Sequence, residues 1–143
     1  MGTIIQRLGH VIRSIKGINV EASPTGILVN LPVAKGRRQT VKLTAARVPG
    51  DSNGMIVARL VSRVGFADNH TLVRKLLEFN AGRQRYGLCL SMDCDPPAVD
   101  AVACVPIDIY DEGLASRLWQ DIQEVGRWAD NLERQLGGGD DDL

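Results

Sequence analysis

The chain has 143 residues, with 17 Lys/Arg balancing 17 Asp/Glu, so its formal net charge is zero. That length suits one domain with a real core, and 44% hydrophobic with 24% charged residues excludes a disordered chain. No apolar run approaches the ~18–20 residues that a bilayer-spanning helix needs. The charge is split along the chain: residues 1–90 hold fourteen Lys/Arg and four Asp/Glu, roughly +10, and residues 91–143 hold three and thirteen, roughly −10. A chain built this way either folds its two parts together or presents charged faces to itself and to partners. Its cysteines, Cys89, Cys94 and Cys104, are odd in number and follow no disulfide or metal spacing, which points to a reducing, cytoplasmic setting.

The first segment has the period of an amphipathic helix. Ile4, Ile5, Leu8, Val11, Ile12 and Ile15 recur at steps of three and four, and Gly17 marks its stop. Periodic apolar residues of this kind do not read as a secretory signal.

Alternation with period two then predicts strands. Ile18, Val20 and Ala22 alternate with polar residues, a turn falls at Ser23-Pro24-Thr25-Gly26, and Ile27, Val29, Leu31 and Val33 alternate again. Pro32 cannot donate to a ladder, so this strand is expected at an edge or bent there. Residues 39–48 place Val41, Leu43 and Ala45 on one face and Thr40, Lys42 and Thr44 on the other. Residues 55–64 place Ile56, Ala58, Leu60 and Val64 opposite Arg59 and Arg63. The short turns between these segments require antiparallel pairing.

Asp68 or Asn69 caps a short helix carrying Leu72, Val73, Leu76, Leu77 and Phe79, closed by Asn80-Ala81-Gly82. Two further strands are expected at 84–92 and 99–107. A long helix follows over about 112–136, where Leu114, Leu118, Ile122, Val125, Ala129, Leu132 and Leu136 form a narrow stripe flanked by Trp119 and Trp128. The composition of 137–143, three glycines and three aspartates before Leu143, predicts a disordered acidic tail. The whole is an α+β domain over 1–136: an antiparallel sheet, meander plus hairpin, packed with helices in the order α-β-β-β(β)-α-β-β-α.

That order and three local segments resemble the type III secretion chaperone-like fold, shared by class I secretion chaperones and the YbjN family. Leu76-Leu77-Glu78-Phe79-Asn80-Ala81 followed by Tyr86-Gly87-Leu88 is similar to the family's leucine-pair, asparagine and strand pattern. Ala103-Cys104-Val105-Pro106-Ile107 resembles its second hairpin strand, and Glu124 to Leu132, running into Glu133, resembles its closing helix. The resemblance covers roughly residues 3–136. It implies a small bacterial homodimer that binds a client polypeptide and does no chemistry. By the same resemblance Leu72, Leu76 and Phe79 are dimer candidates, and Ile4, Leu8, Ile12, Val29 and Leu31 are client-surface candidates. The chain differs from those chaperones in its basic first two-thirds and in the extra short strand at 18–22.

Read residue by residue, the sequence nominates no catalytic group and no cofactor. His10 and His70 lack a nucleophile or acid at a known spacing, and no Walker, G-x-S-x-G or G-x-G-x-x-G pattern occurs. Asp93, Cys94, Asp95 and Asp100 mix soft and hard ligands around Pro96-Pro97, which fits a turn better than a metal site. Cys89 and Cys104, among aliphatic residues, are expected to be buried small hydrophobes. Lys42, Arg59 and Arg63 would form a cationic surface if they share the solvent face of the sheet. Such a surface can be solvated, meet an acidic protein, or bind nucleic acid, although stacking aromatics are scarce there. A protein-binding module is the leading expectation, and nucleic-acid or acidic-ligand binding through the basic face is the alternative.

Overall fold

A computed structural model of the chain describes residues 2–13, 19–23, 26–34, 36–47, 55–66, 68, 70, 73–74, 77–78, 87–108 and 111–136. Helix α1 spans Gly2–Arg13, and strands β1 (Asn19–Ser23), β2 (Gly26–Ala34), β3 (Arg37–Arg47) and β4 (Ile56–Phe66) follow it. Strands β5 (Gly87–Ser91) and β6 (Ala98–Ile107) precede the long helix α2, Leu114–Leu136. Between β4 and β5 the described residues His70, Val73, Arg74, Leu77 and Glu78 are helical. The dimer candidates Leu72, Leu76 and Phe79 lie outside the described residues, as do the expected helix stop at Gly17 and the acidic tail.

All six strands join one antiparallel sheet in the order β1-β2-β3-β4-β6-β5. The protein is therefore α+β, with a meander of four strands and a hairpin whose second strand docks on β4. Alternation assigns the faces. Ile27, Val29, Leu31, Val41, Leu43, Ala58, Leu60, Leu88, Ala101 and Ala103 point to the inner face and are buried. Helix α2 covers that face with Leu114, Leu118, Ile122, Val125, Ala129 and Leu132, while α1 contributes Leu8 and Ile12. Trp119 and Trp128 are half-buried and pack against this core.

Helix and sheet approach closely at Gly126. A Cβ there would lie 2.6 Å from Leu31 Cδ1 and 3.3 Å from Val41 Cγ2, so a larger residue would push α2 off β2 and β3. Asp111 starts the helix: its Oδ1 accepts the Gly113 N–H at 2.9 Å, and its carbonyl accepts the Leu114 N–H. Near the other end, Arg37 Nη2 donates to Asp130 Oδ2, and Arg134 Nε lies 3.5 Å from the same oxygen. The inner face also holds a satisfied polar pair. Gln39 Nε2 donates to Ser62 Oγ at 2.9 Å and to the Arg63 carbonyl at 2.8 Å, and Ser62 Oγ donates to the Thr40 carbonyl. The basic and acidic parts of the chain thus meet within one molecule, through Arg37 with Asp130 and Arg63 with Asp100.

Two expectations change. Leu8, Ile12, Val29 and Leu31 are 0–3% exposed, so they form the core and offer no client surface. The reason is that α1 and β2 both turn their apolar stripes inward, toward α2. Ile4 lies in α1, but its side chain is outside the described set. Cys104 is exposed and Cys89 half-buried, because both alternate outward while Ala103 and Leu88 point in. Pro32 sits in an interior strand, yet β1 reaches only to Asn30, and the register with β3 is irregular between Pro32 and Ala34.

Candidate binding face

The outer face of the sheet carries the residues that sequence alternation left over. Strand register arranges them in transverse rows. Leu28, Lys42, Val61, Val102 and Gly87 stand opposite one another across β2, β3, β4, β6 and β5. One row toward the β2–β3 turn, Arg63 opposes Asp100, which in turn opposes Cys89. One row the other way, Thr44 opposes Arg59, which opposes Cys104. Lys42, Arg59 and Arg63 therefore do share one face, in a triangle around Val61.

These rows line a shallow depression of about 410 Å³, formed by Leu28, Thr40, Lys42, Thr44, Arg59, Val61, Arg63, Ser91, Asp93 and Asp100. Its two banks differ in charge. The β3–β4 bank is cationic, and the β5–β6 bank carries the carboxylates. Arg63 Nε lies 3.4 Å from Asp100 Oδ1, and its guanidinium carbon stands 5.8 Å from the centre of the Phe66 ring. Asp100 is 5% exposed and Arg63 about half exposed, so the pair is anchored from the acidic side. Arg59 Nη2 points to Cys89 Sγ at 3.7 Å. Among the described residues neither Lys42 nor Arg59 has a carboxylate within ion-pair distance.

Two ionisations are shifted here. The Ser91 hydroxyl donates to Asp93 and holds its carboxyl below the ordinary value, helped by a backbone hydrogen bond and by the Arg63 and Lys42 charges. Burial pushes the Cys89 thiol above its ordinary value, and the Arg59 guanidinium partly offsets this. A protonated thiol facing an arginine is a weak nucleophile and a poor metal ligand. Among the described residues no group of three His, Cys, Asp or Glu is placed to hold a metal ion. No helix among them is long and apolar enough to cross a membrane.

A second depression, about 380 Å³, lies between the end of β6 and the first turns of α2, lined by Val105, Pro106, Leu114, Arg117, Leu118, Gln120 and Asp121. Its arginine is engaged by Asp111. The charged groups do not converge there as they do around Val61.

Sequence alternation finds the three cations. It misses Asp93, Asp100, Ser91 and Val61 as their neighbours. The β4–β6 register that sets Asp100 beside Arg63 joins residues 37 apart, and no local pattern encodes it. No family model matches the chain, and neither does any curated protein or solved structure compared with it.

Proposed function

We propose that this chain is a non-enzymatic polypeptide-binding module, a cytoplasmic homodimer in the manner of a secretion chaperone or YbjN-like regulator, whose client docks on the outer sheet face. The observation that carries this reading is the triangle of Lys42, Arg59 and Arg63 around Val61, on a face that no described element covers. An apolar centre with a charged surround is the usual anatomy of a protein contact. The buried core residues that the family resemblance nominated cannot play this part, so the client surface moves from the inner face to the outer one.

The test is a photo-crosslinking residue placed at Val61, irradiated in native lysate with and without nuclease. One polypeptide adduct that resists nuclease and is lost on adding Arg59→Glu is the expected result. Adducts that are destroyed by nuclease, or none at all, would remove the reading. Sedimentation of the purified chain tests the dimer separately.

A further inference from the structure

Resting on a polypeptide client at this face, we infer that the client segment is extended and acidic, with carboxylates at alternate positions, and that it lies along β4 against Arg59, Lys42 and Arg63. Arg59 and Arg63 leave the same side of one strand four residues apart, which sets their Cα atoms about 13 Å apart. Lys42 stands opposite Val61, at the midpoint between them, on the neighbouring strand. An extended peptide presents side chains i, i+2 and i+4 on one side at steps of ~7 Å, so that i and i+4 span about 13 Å. Three alternate carboxylates on the client therefore match the three cations in order.

The same spacing occurs along a helix at i, i+4 and i+8, and the width of the site decides against it. The cations occupy two adjacent strands, a strip about 5 Å between strand axes. A helix is about 10–12 Å across with its side chains. Centred on that strip, it would reach about 5–6 Å to either side, past the β4 axis toward Asp100 on β6, and Asp93 stands on the same side of the depression. An extended segment fits on the cationic bank, and the two carboxylates repel any acidic chain that drifts toward β6. Leu28 on β2 and Val61 in the middle offer apolar contact to the methylene stems of the acidic side chains, since the residues between the acids point away from the sheet.

Charge complementarity favours an acidic segment on this face. Lys42 and Arg59 have no carboxylate partner among the described residues, and Arg63 is held only at 3.4 Å by Asp100. An incoming carboxylate meets two cations with unused donors and a third whose remaining nitrogens are half exposed to solvent.

The experiment is fluorescence anisotropy of labelled nine-residue peptides against the full chain at about 0.1 M salt, where charges act within roughly 10 Å. One peptide carries glutamate at alternate positions with threonine and valine between. A second has glutamine in those positions, a third is helix-forming with glutamates at i, i+4 and i+8, and a fourth ligand is an oligodeoxythymidine. The alternating acidic peptide should bind most tightly. Lys42→Gln and Arg59→Gln should each weaken it about ten- to hundredfold. Arg7→Gln, on the exposed side of α1, should leave it unchanged, and circular dichroism checks that every variant is folded. Equal binding of the glutamate and glutamine peptides, lost on Val61→Glu, would overturn the acidic inference and leave the polypeptide-binding reading standing. Tighter binding of the helical peptide would overturn the extended geometry. Preference for the oligodeoxythymidine, lost on Arg59→Gln, would overturn both the inference and that reading.

Discussion

The two faces of this sheet are built from the same strands and have opposite fates. On β4, Ala58, Leu60 and Val64 point inward and are buried, while Arg59, Val61 and Arg63 point outward and remain at least partly exposed. The inner face is closed by α2 and α1 with aliphatic side chains and one hydrogen-bonded polar pair. The outer face keeps its cations, with Asp100 and Asp93 on the β5–β6 side and Glu21 on β1 at the other. Stability and the proposed recognition are thus separated by a single residue step along β4. Neighbours in sequence should answer to different measurements.

The sharpest way to break that separation is at residues 59 and 60. Leu60→Ala should destabilise the protein by about 2–5 kcal/mol in urea unfolding, because the fully buried side chain leaves a cavity between β4 and α2. Arg59→Gln, one residue earlier, should change stability by no more than about 0.5 kcal/mol, since it removes an exposed charge with no carboxylate partner among the described residues. Similar losses from both would show that the faces are not energetically distinct. Next in size is Gly126→Val. Its branched side chain would collide with Leu31 and Val41, and overpacking of this kind costs about 1–3 kcal/mol. The reading is a lowered urea midpoint with the peptide affinity of the folded fraction preserved.

The smallest effect concerns Asp93 on the outer bank. Its carboxyl is held below the ordinary value, chiefly by the Ser91 hydroxyl. A depressed carboxylate contributes stability that is present above the unfolded-state value, about 4, and is lost as pH falls through the lower folded-state value. Ser91→Ala should raise the Asp93 titration midpoint, observed by NMR of the side-chain carboxyl carbon. An unchanged midpoint would mean that the hydrogen bond does not hold in solution.

Much of this architecture is legible in the sequence, for a physical reason. Strands β3 and β4 alternate cleanly between aliphatic and polar or charged residues, so their faces and the shared side of Lys42, Arg59 and Arg63 can be read directly. Strand β6 hides its period. Ala101, Val102, Ala103, Cys104 and Val105 are all apolar or small, and only tertiary packing decides that Val102 and Cys104 point outward. The same limit applies to Leu8, Ile12, Val29 and Leu31. A periodic apolar stripe marks a face to be covered, but it does not say whether the cover is another part of the chain or a partner. The neighbours Asp100 and Asp93 were illegible because their position depends on a long-range register with a shift between Arg63 and Gly65.

The order of elements has a consequence for synthesis. Helix α2, which closes the inner face, follows every strand in the chain. While the ribosome is still making it, the strands that it will cover can pair into a sheet but present Val29, Leu31, Val41, Leu43 and Leu60 to water. Non-local contacts of this kind are slow to form and leave the nascent chain open to aggregation. The acidic last third, on its emergence, delivers both the apolar lid and the aspartate that ties Arg37 into place. Completion of the core is thus a late event, timed by the arrival of a single helix.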